Sequence, residues 1–136
     1  MNENHPALVA ARSSWRCVQA KDREGWLALM APDICIEDPI GVAPTNPSGK
    51  GAQGLSAVQE FWDKNIGPSS LRVETHESFV GGNESAHVLT LITTLPQGIR
   101  ATVRGIFTYR VNDAGKIQAL RGYWTTADMK IERIAR

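Results

Sequence analysis

The hydrophobic period of this chain changes from three or four residues to two, and from Ser70 onward the shorter period dominates. Side chains repeating every three or four residues line one side of a helix, whereas a repeat of two lines one face of a strand. The second half therefore reads as four strands in succession: LRVETHESFV over 71–80, HVLTLITTL over 87–95, IRATVRGIFTYRV over 99–111 and KIQALRGYW over 116–124. Each is rich in β-branched or aromatic residues. The turn formers PQG and NDAG separate the last three, so consecutive strands are expected to pair as an antiparallel meander.

Upstream, Leu8, Ala11, Trp15 and Val18 are spaced by three, four and three, the stripe of an amphipathic helix that runs into the charged cluster KDRE. Asp22 suits the N-cap of a second helix with Trp26, Leu29 and Met30 on its apolar side, ending at Pro32. Ile34, Ile36 and Asp38 then alternate with Cys35 and Glu37, as in a strand. The stretch PIGVAPTNPSGKGAQG over 39–54 reads as an irregular loop, and Leu55, Val58, Phe61 and Trp62 resume helical spacing. The final TTADMKIERIAR reads as a surface tail. Helices followed by a run of antiparallel strands predict an α+β fold, with helices on one face of a curved sheet and an apolar cavity between the layers. A chain of 136 residues, 42% of them hydrophobic, suits a single domain over 1–136.

Fifteen basic and fourteen acidic side chains leave a net charge of +1, too little field to draw in nucleic acid or anionic lipid. No apolar run approaches the roughly 20 residues that cross a bilayer, and the start lacks the basic-then-apolar pattern of a leader, so a soluble cytoplasmic protein is expected. Cys17 and Cys35 have neither CxxC spacing nor a disulfide framework and read as small buried hydrophobes. His5, His76 and His87 are too scattered for a metal-ligand motif; no metal or other cofactor is expected. GKGAQG lacks the preceding strand and the lysine placement of a phosphate loop.

Asp38 is the most informative residue. Alternation aims its carboxylate to the same side as Ile34 and Ile36, and an ionised group in apolar surroundings loses solvation, which raises its pKa toward the range of a general base. An aspartate before proline also ends strands and caps turns, and the residues alone leave both readings open. Glu37 faces the opposite way, into solvent. The four tryptophans, Trp15, Trp26, Trp62 and Trp124, sit on apolar stripes; converging on one cavity, they would suit a flat apolar ligand. Arg100, Arg104, Arg110 and Arg121 alternate with inward positions and read as the outer face of the sheet.

IEDPIG at 36–41, AVQEFW at 57–62, NESAHVL, and YRVNDAGKIQALRGYW at 109–124 together resemble the steroid Δ-isomerases, the ketosteroid isomerases of the nuclear transport factor 2-like or SnoaL-like superfamily. The likeness runs in order along nearly the whole chain and is strongest to mycobacterial and other actinobacterial members. It implies a cone-shaped fold with an apolar pocket, a steroid or similar flat hydrophobic ligand, a homodimer and no cofactor. It also implies that Asp38 is the general base, moving a proton between carbons of a conjugated steroid ketone. In such enzymes a tyrosine and a carboxylic acid kept neutral by its apolar site together bind the oxyanion. Here the family's oxyanion tyrosine falls on Ser14 and its protonated acid on Phe107, while Met30 and Trp62 replace supporting tyrosines. Ser14 keeps a hydroxyl and Phe107 has no donor, so the resemblance implies weak turnover. It places Leu89, Phe107, Trp62 and Trp124 on the steroid cavity, and Trp15 and Met30 complete the expected binding set. The alternatives are a non-catalytic hydrophobic-ligand binder, or a lyase, dehydratase or hydrolase reaction on the same scaffold.

Overall fold

A computed structural model describes residues 2–134. Helix α1 spans Pro6–Ala20; proline occupies its first turn, where no backbone donor is needed, and the His5 side chain accepts from the Ala7 amide at 3.1 Å. Lys21 closes it in the left-handed region at φ 61°. The Lys21 ammonium donates to the carbonyls of Ile66, Gly67 and Ser69, tying the end of α1 to the far side of the helical layer. Asp22 caps α2 (Arg23–Leu27) through the Gly25 amide at 2.9 Å.

The expected second helix is too long. The chain leaves α2 at Leu27, and strand β1 runs from Met30 to Glu37 with Pro32 inside it. Register slips between Met30 and Cys35, so Pro32 lies in the unpaired part of the strand and its missing N–H leaves no ladder bond unmade. Met30 is thus the first residue of a strand, pairing with Ile117, and its side chain is buried in the core.

The loop that follows is knitted by buried Asn46, whose amide donates to the Pro39 carbonyl and accepts from the Gly51 N–H, both at 2.9 Å. Strand β2 (Ala52–Gln53), helix α3 (Gly54–Phe61) and a wider helical turn over Trp62–Ile66 come next. Strands β3 (Ser70–Gly81), β4 (Glu84–Leu95), β5 (Ile99–Val111) and β6 (Ile117–Tyr123) form the antiparallel meander expected from alternation. The order across the curved sheet is β2-β1-β6-β5-β4-β3, with β1 parallel to β6.

The chain beyond Tyr123 is no surface tail. A short turn over Thr126–Asp128 leads into β7 (Lys130–Arg133), which pairs with the Ile99–Thr102 end of β5. Strand β5 is long enough that β6 covers only Ile106–Val111, and β7 takes the edge left over. Residues 135 and 136 of that stretch lie outside the described residues.

On β5, Ala101, Val103, Phe107, Tyr109 and Val111 are buried, whereas Arg104, Ile106 and Arg110 are exposed on the other face. The concave face of the sheet meets α1, α2 and α3, and the core gathers there, with Leu8, Trp26, Ile34, Leu89 and Phe107 fully buried. Each such side chain contributes about 1.5–3 kcal/mol by leaving water. Cys17 is buried, Cys35 is half-buried, and both are free thiols. No helix among the described residues is long and apolar enough to cross a membrane.

Candidate functional site

The concave face is not filled. A cavity of about 340 Å³ remains between sheet and helices, walled by Trp15, Val18 and Trp26 from the helices and by Leu89, Leu91, Val103, Phe107 and Leu120 from the strands. Trp124, Thr126 and Met129 close one side. Asp38 enters just beyond the end of β1, on the same side as Ile36, as alternation predicts. One carboxylate oxygen accepts from Trp124 Nε1–H at 2.7 Å. The loop holds the main chain at this point, Thr45 Oγ1 donating to the Asp38 carbonyl at 2.6 Å.

Gly122 makes the Asp38–Trp124 contact possible. A Cβ there would stand 2.7 Å from Asp38 Oδ1, 2.9 Å from the Phe107 ring and 3.0 Å from Trp124 Nε1. The Asp38 carboxyl is half-buried because the cavity reaches it, yet protein surrounds it on its other sides. Loss of solvation pushes its pKa up to about 6, and the Trp124 hydrogen bond to the ionised form holds back a further rise. Such a group is a base at neutral pH that also binds a proton well enough to take one from carbon.

A second polar cluster faces the same cavity. Tyr109, inward on β5 two residues from Phe107, is buried, and its oxygen accepts from Trp15 Nε1–H at 2.9 Å. Burial foremost, and the Asp38 charge in addition, raise its pKa well above the ordinary phenol value, so it keeps its proton. Ser14 is also buried at the wall, its oxygen accepting from Trp26 Nε1–H at 3.1 Å.

Of the residues expected at the site, the structure brings Asp38, Ser14, Trp15, Leu89, Phe107 and Trp124 to one cavity. Met30 and Trp62 are not on its wall. Met30 belongs to the core at the start of β1, and Trp62 backs Trp26, the two ring systems 5.1 Å apart, with Trp26 occupying the wall. Sequence reasoning passed over Tyr109, although the period of two that faces Phe107 inward faces Tyr109 inward as well. His76 is exposed and bonds Thr90 at 2.7 Å. Glu37 turns to the outer face and pairs with Arg121 at 2.9 Å. Among the described residues no group of three or more His, Cys, Asp or Glu side chains stands together to hold a metal ion.

Comparison with known proteins matches a SnoaL-like domain family over residues 11–120. A Δ5-3-ketosteroid isomerase from Mycobacterium sp. is 55% identical over 94% of this chain and 99% of its own, with a TM-score of 0.92. RV0760c from Mycobacterium tuberculosis, in complex with estradiol-17β-hemisuccinate, is 52% identical over 93% of this chain and 99% of its own, with a TM-score of 0.91. A computationally designed 17-OHP binder is 49% identical over 95% of this chain and 100% of its own, with a TM-score of 0.93.

Proposed function

The chain belongs to the SnoaL-like family, and from that membership we propose that it is a ketosteroid isomerase-like protein that binds a steroid or similarly flat hydrophobic ketone and moves a proton along it. The observation that carries this reading is the Asp38 carboxylate: one oxygen is held by Trp124, and the group sits at an apolar cavity with its pKa lifted to about 6. In a β,γ-unsaturated ketone the carbon between the carbonyl and the double bond is acidic. Asp38 takes its proton, leaving a dienolate with negative charge on the ketone oxygen, and returns the proton two carbons along, so that the double bond moves into conjugation and nothing else is consumed. The apolar walls orient the rings by shape and keep water from the carbanion. Phe107 offers no hydrogen to the ketone oxygen, which favours modest turnover.

Titrating the protein with a 3-ketosteroid is expected to change tryptophan emission saturably, since Trp15, Trp26 and Trp124 line the cavity. A Δ5-3-ketosteroid is expected to be converted to its conjugated isomer, followed by absorbance. Saturation without product would identify a binder that is not an enzyme; neither signal would remove the steroid reading altogether.

Exposed Phe79, Ile106 and Tyr123 lie on the outer face of the sheet, where Ile106 and Tyr123 are cross-strand partners. Such a face supports pairing with a second copy of the chain. Light scattering is expected to read twice the chain mass and, for Ile106→Glu, the mass of one chain. A wild-type value of one chain at micromolar concentration would remove the dimer.

A further inference from the structure

The geometry points to Tyr109 as the donor that holds the ketone oxygen of the ligand while Asp38 works on the neighbouring carbon. The inference rests on the proton-transfer reading above and names the group that stabilises its intermediate.

The Tyr109 oxygen accepts from the Trp15 indole N–H at 2.9 Å, and the Ser14 hydroxyl bonds it as well, lowering its pKa as a donor to that oxygen does. Surrounding groups do not take its own proton. Buried His87 packs edge-on to the tyrosine ring at 5.6 Å and is the obvious acceptor nearby, but both its nitrogens are engaged at 2.7 Å, one by Ser78 and one by Ser85. Ser85 Oγ–H donates to the Ala7 carbonyl at 3.2 Å, so it accepts from His87 Nε2–H, and His87 Nδ1 then accepts from Ser78. Burial holds the imidazole neutral, its pKa lowered to about 4. With Trp15 and Ser14 both donating to its oxygen, the Tyr109 hydroxyl, on the cavity wall with Asp38, keeps its own O–H for an oxygen that a ligand brings.

Position strengthens the case. Indole N–H donation to a hydroxyl oxygen polarises its O–H and makes it a better donor. Trp15 is in turn clamped edge-on against His87, with ring centroids 4.8 Å apart and an interplanar angle of 86°. The donor is thus oriented before the ligand arrives, the condition under which hydrogen bonds to a developing oxyanion are worth most. Ser14, whose expected role was this one, instead accepts from Trp26 and supports the Tyr109 oxygen from the side. The ligand class follows: a planar ketone whose oxygen reaches Tyr109 while an adjacent C–H faces Asp38.

Tyr109→Phe keeps the ring and removes the donor. Its kcat for a Δ5-3-ketosteroid is expected to fall about 100- to 1000-fold with little change in KM, because the bond matters most once charge reaches the oxygen. In the infrared spectrum of a bound conjugated 3-ketosteroid, the carbonyl stretch is expected to lie low in the wild type and in Asp38→Asn, and to rise toward its apolar-solvent value in Tyr109→Phe. Trp15→Phe, which removes the positioning N–H together with part of the indole ring, is expected to lower kcat about 3- to 10-fold and to raise the stretch part of the way. An active wild type whose turnover and carbonyl stretch are unmoved by Tyr109→Phe would overturn this assignment and leave the proton-transfer reading standing. A wild type that turns over no ketosteroid would overturn that reading instead, and a carbonyl that still responded to Tyr109 would then mark a ligand-binding donor rather than a catalytic one.

Discussion

Asp38→Asn is expected to abolish nearly all turnover and, above neutral pH, to make the protein more stable. A positioned general base contributes typically 100- to 10,000-fold to a rate, and an amide cannot take up the proton, so kcat should fall by about that factor. The stability gain follows from the same burial. In the folded protein the carboxyl holds its proton up to a pH of about 6, whereas in the unfolded chain it releases it near the ordinary value of 3.8. Between those values the folded state carries more protons than the unfolded one, so stability falls as pH rises through the window and stays lower above it. Replacing the carboxylate with an amide that still accepts from Trp124 removes that loss, worth at most about 3 kcal/mol at 1.36 kcal/mol per pKa unit. Urea unfolding of the two proteins should give curves that coincide below about pH 4 and separate with the variant ahead at pH 8. For the wild type, kcat/KM should rise with pH through about 6 and level off. A variant less stable than wild type at pH 8 would mean that the carboxylate is not held in a desolvated setting.

Gly122→Ala should damage the site without replacing a catalytic group. The added methyl would meet Asp38 Oδ1 at 2.7 Å, the Phe107 ring at 2.9 Å and Trp124 Nε1 at 3.0 Å. The backbone cannot step aside, because the Gly122 carbonyl accepts from the Ile40 N–H at 3.0 Å and the residue is paired with Phe107 in the sheet. Overpacking of this kind costs about 1–3 kcal/mol. The more telling effect is on the base. Trp124 lowers the pKa of Asp38, so prising the two apart should move the rise of the kcat/KM profile to higher pH and cut kcat at pH 7 by about tenfold or more. Wild-type turnover and an unmoved pH profile would show that the loop carrying Asp38 yields freely.

Much of this arrangement is legible in the sequence, and the parts that are not have identifiable reasons. Strands β3 to β6 announce themselves through long alternation bounded by glycine, proline and asparagine, and β5 matches its expected bounds of 99 and 111. Alternation from Ile34 through Ile36 puts Asp38 on the cavity side without any knowledge of the cavity. Met30 is misplaced because Leu29 and Met30 fit the end of a helix as well as the start of a strand, and Pro32 offers a plausible stop for the former. Trp62 is misplaced for a different reason: helical spacing says that a side chain faces the core but not whether another ring lies between it and the cavity, and here Trp26 does. Strand β7 has four residues with only Ile131 apolar, too few for any period to register, and its place depends on an edge that becomes vacant only once β5 and β6 are paired. Tyr109 is within reach, since it shares the parity of Phe107, but a hydroxyl without an acceptor is a property of the assembled layers.

The shared edge of β5 bears on how the protein is made. Ribosomes deliver the amino end first, so the segments that enclose most of the hollow emerge before the one carrying Trp124, Thr126 and Met129. Asp38 and the indole that holds it stand 86 positions apart in the chain. Until that last segment arrives, one wall of the greasy lining is missing and the acid lacks its indole tether.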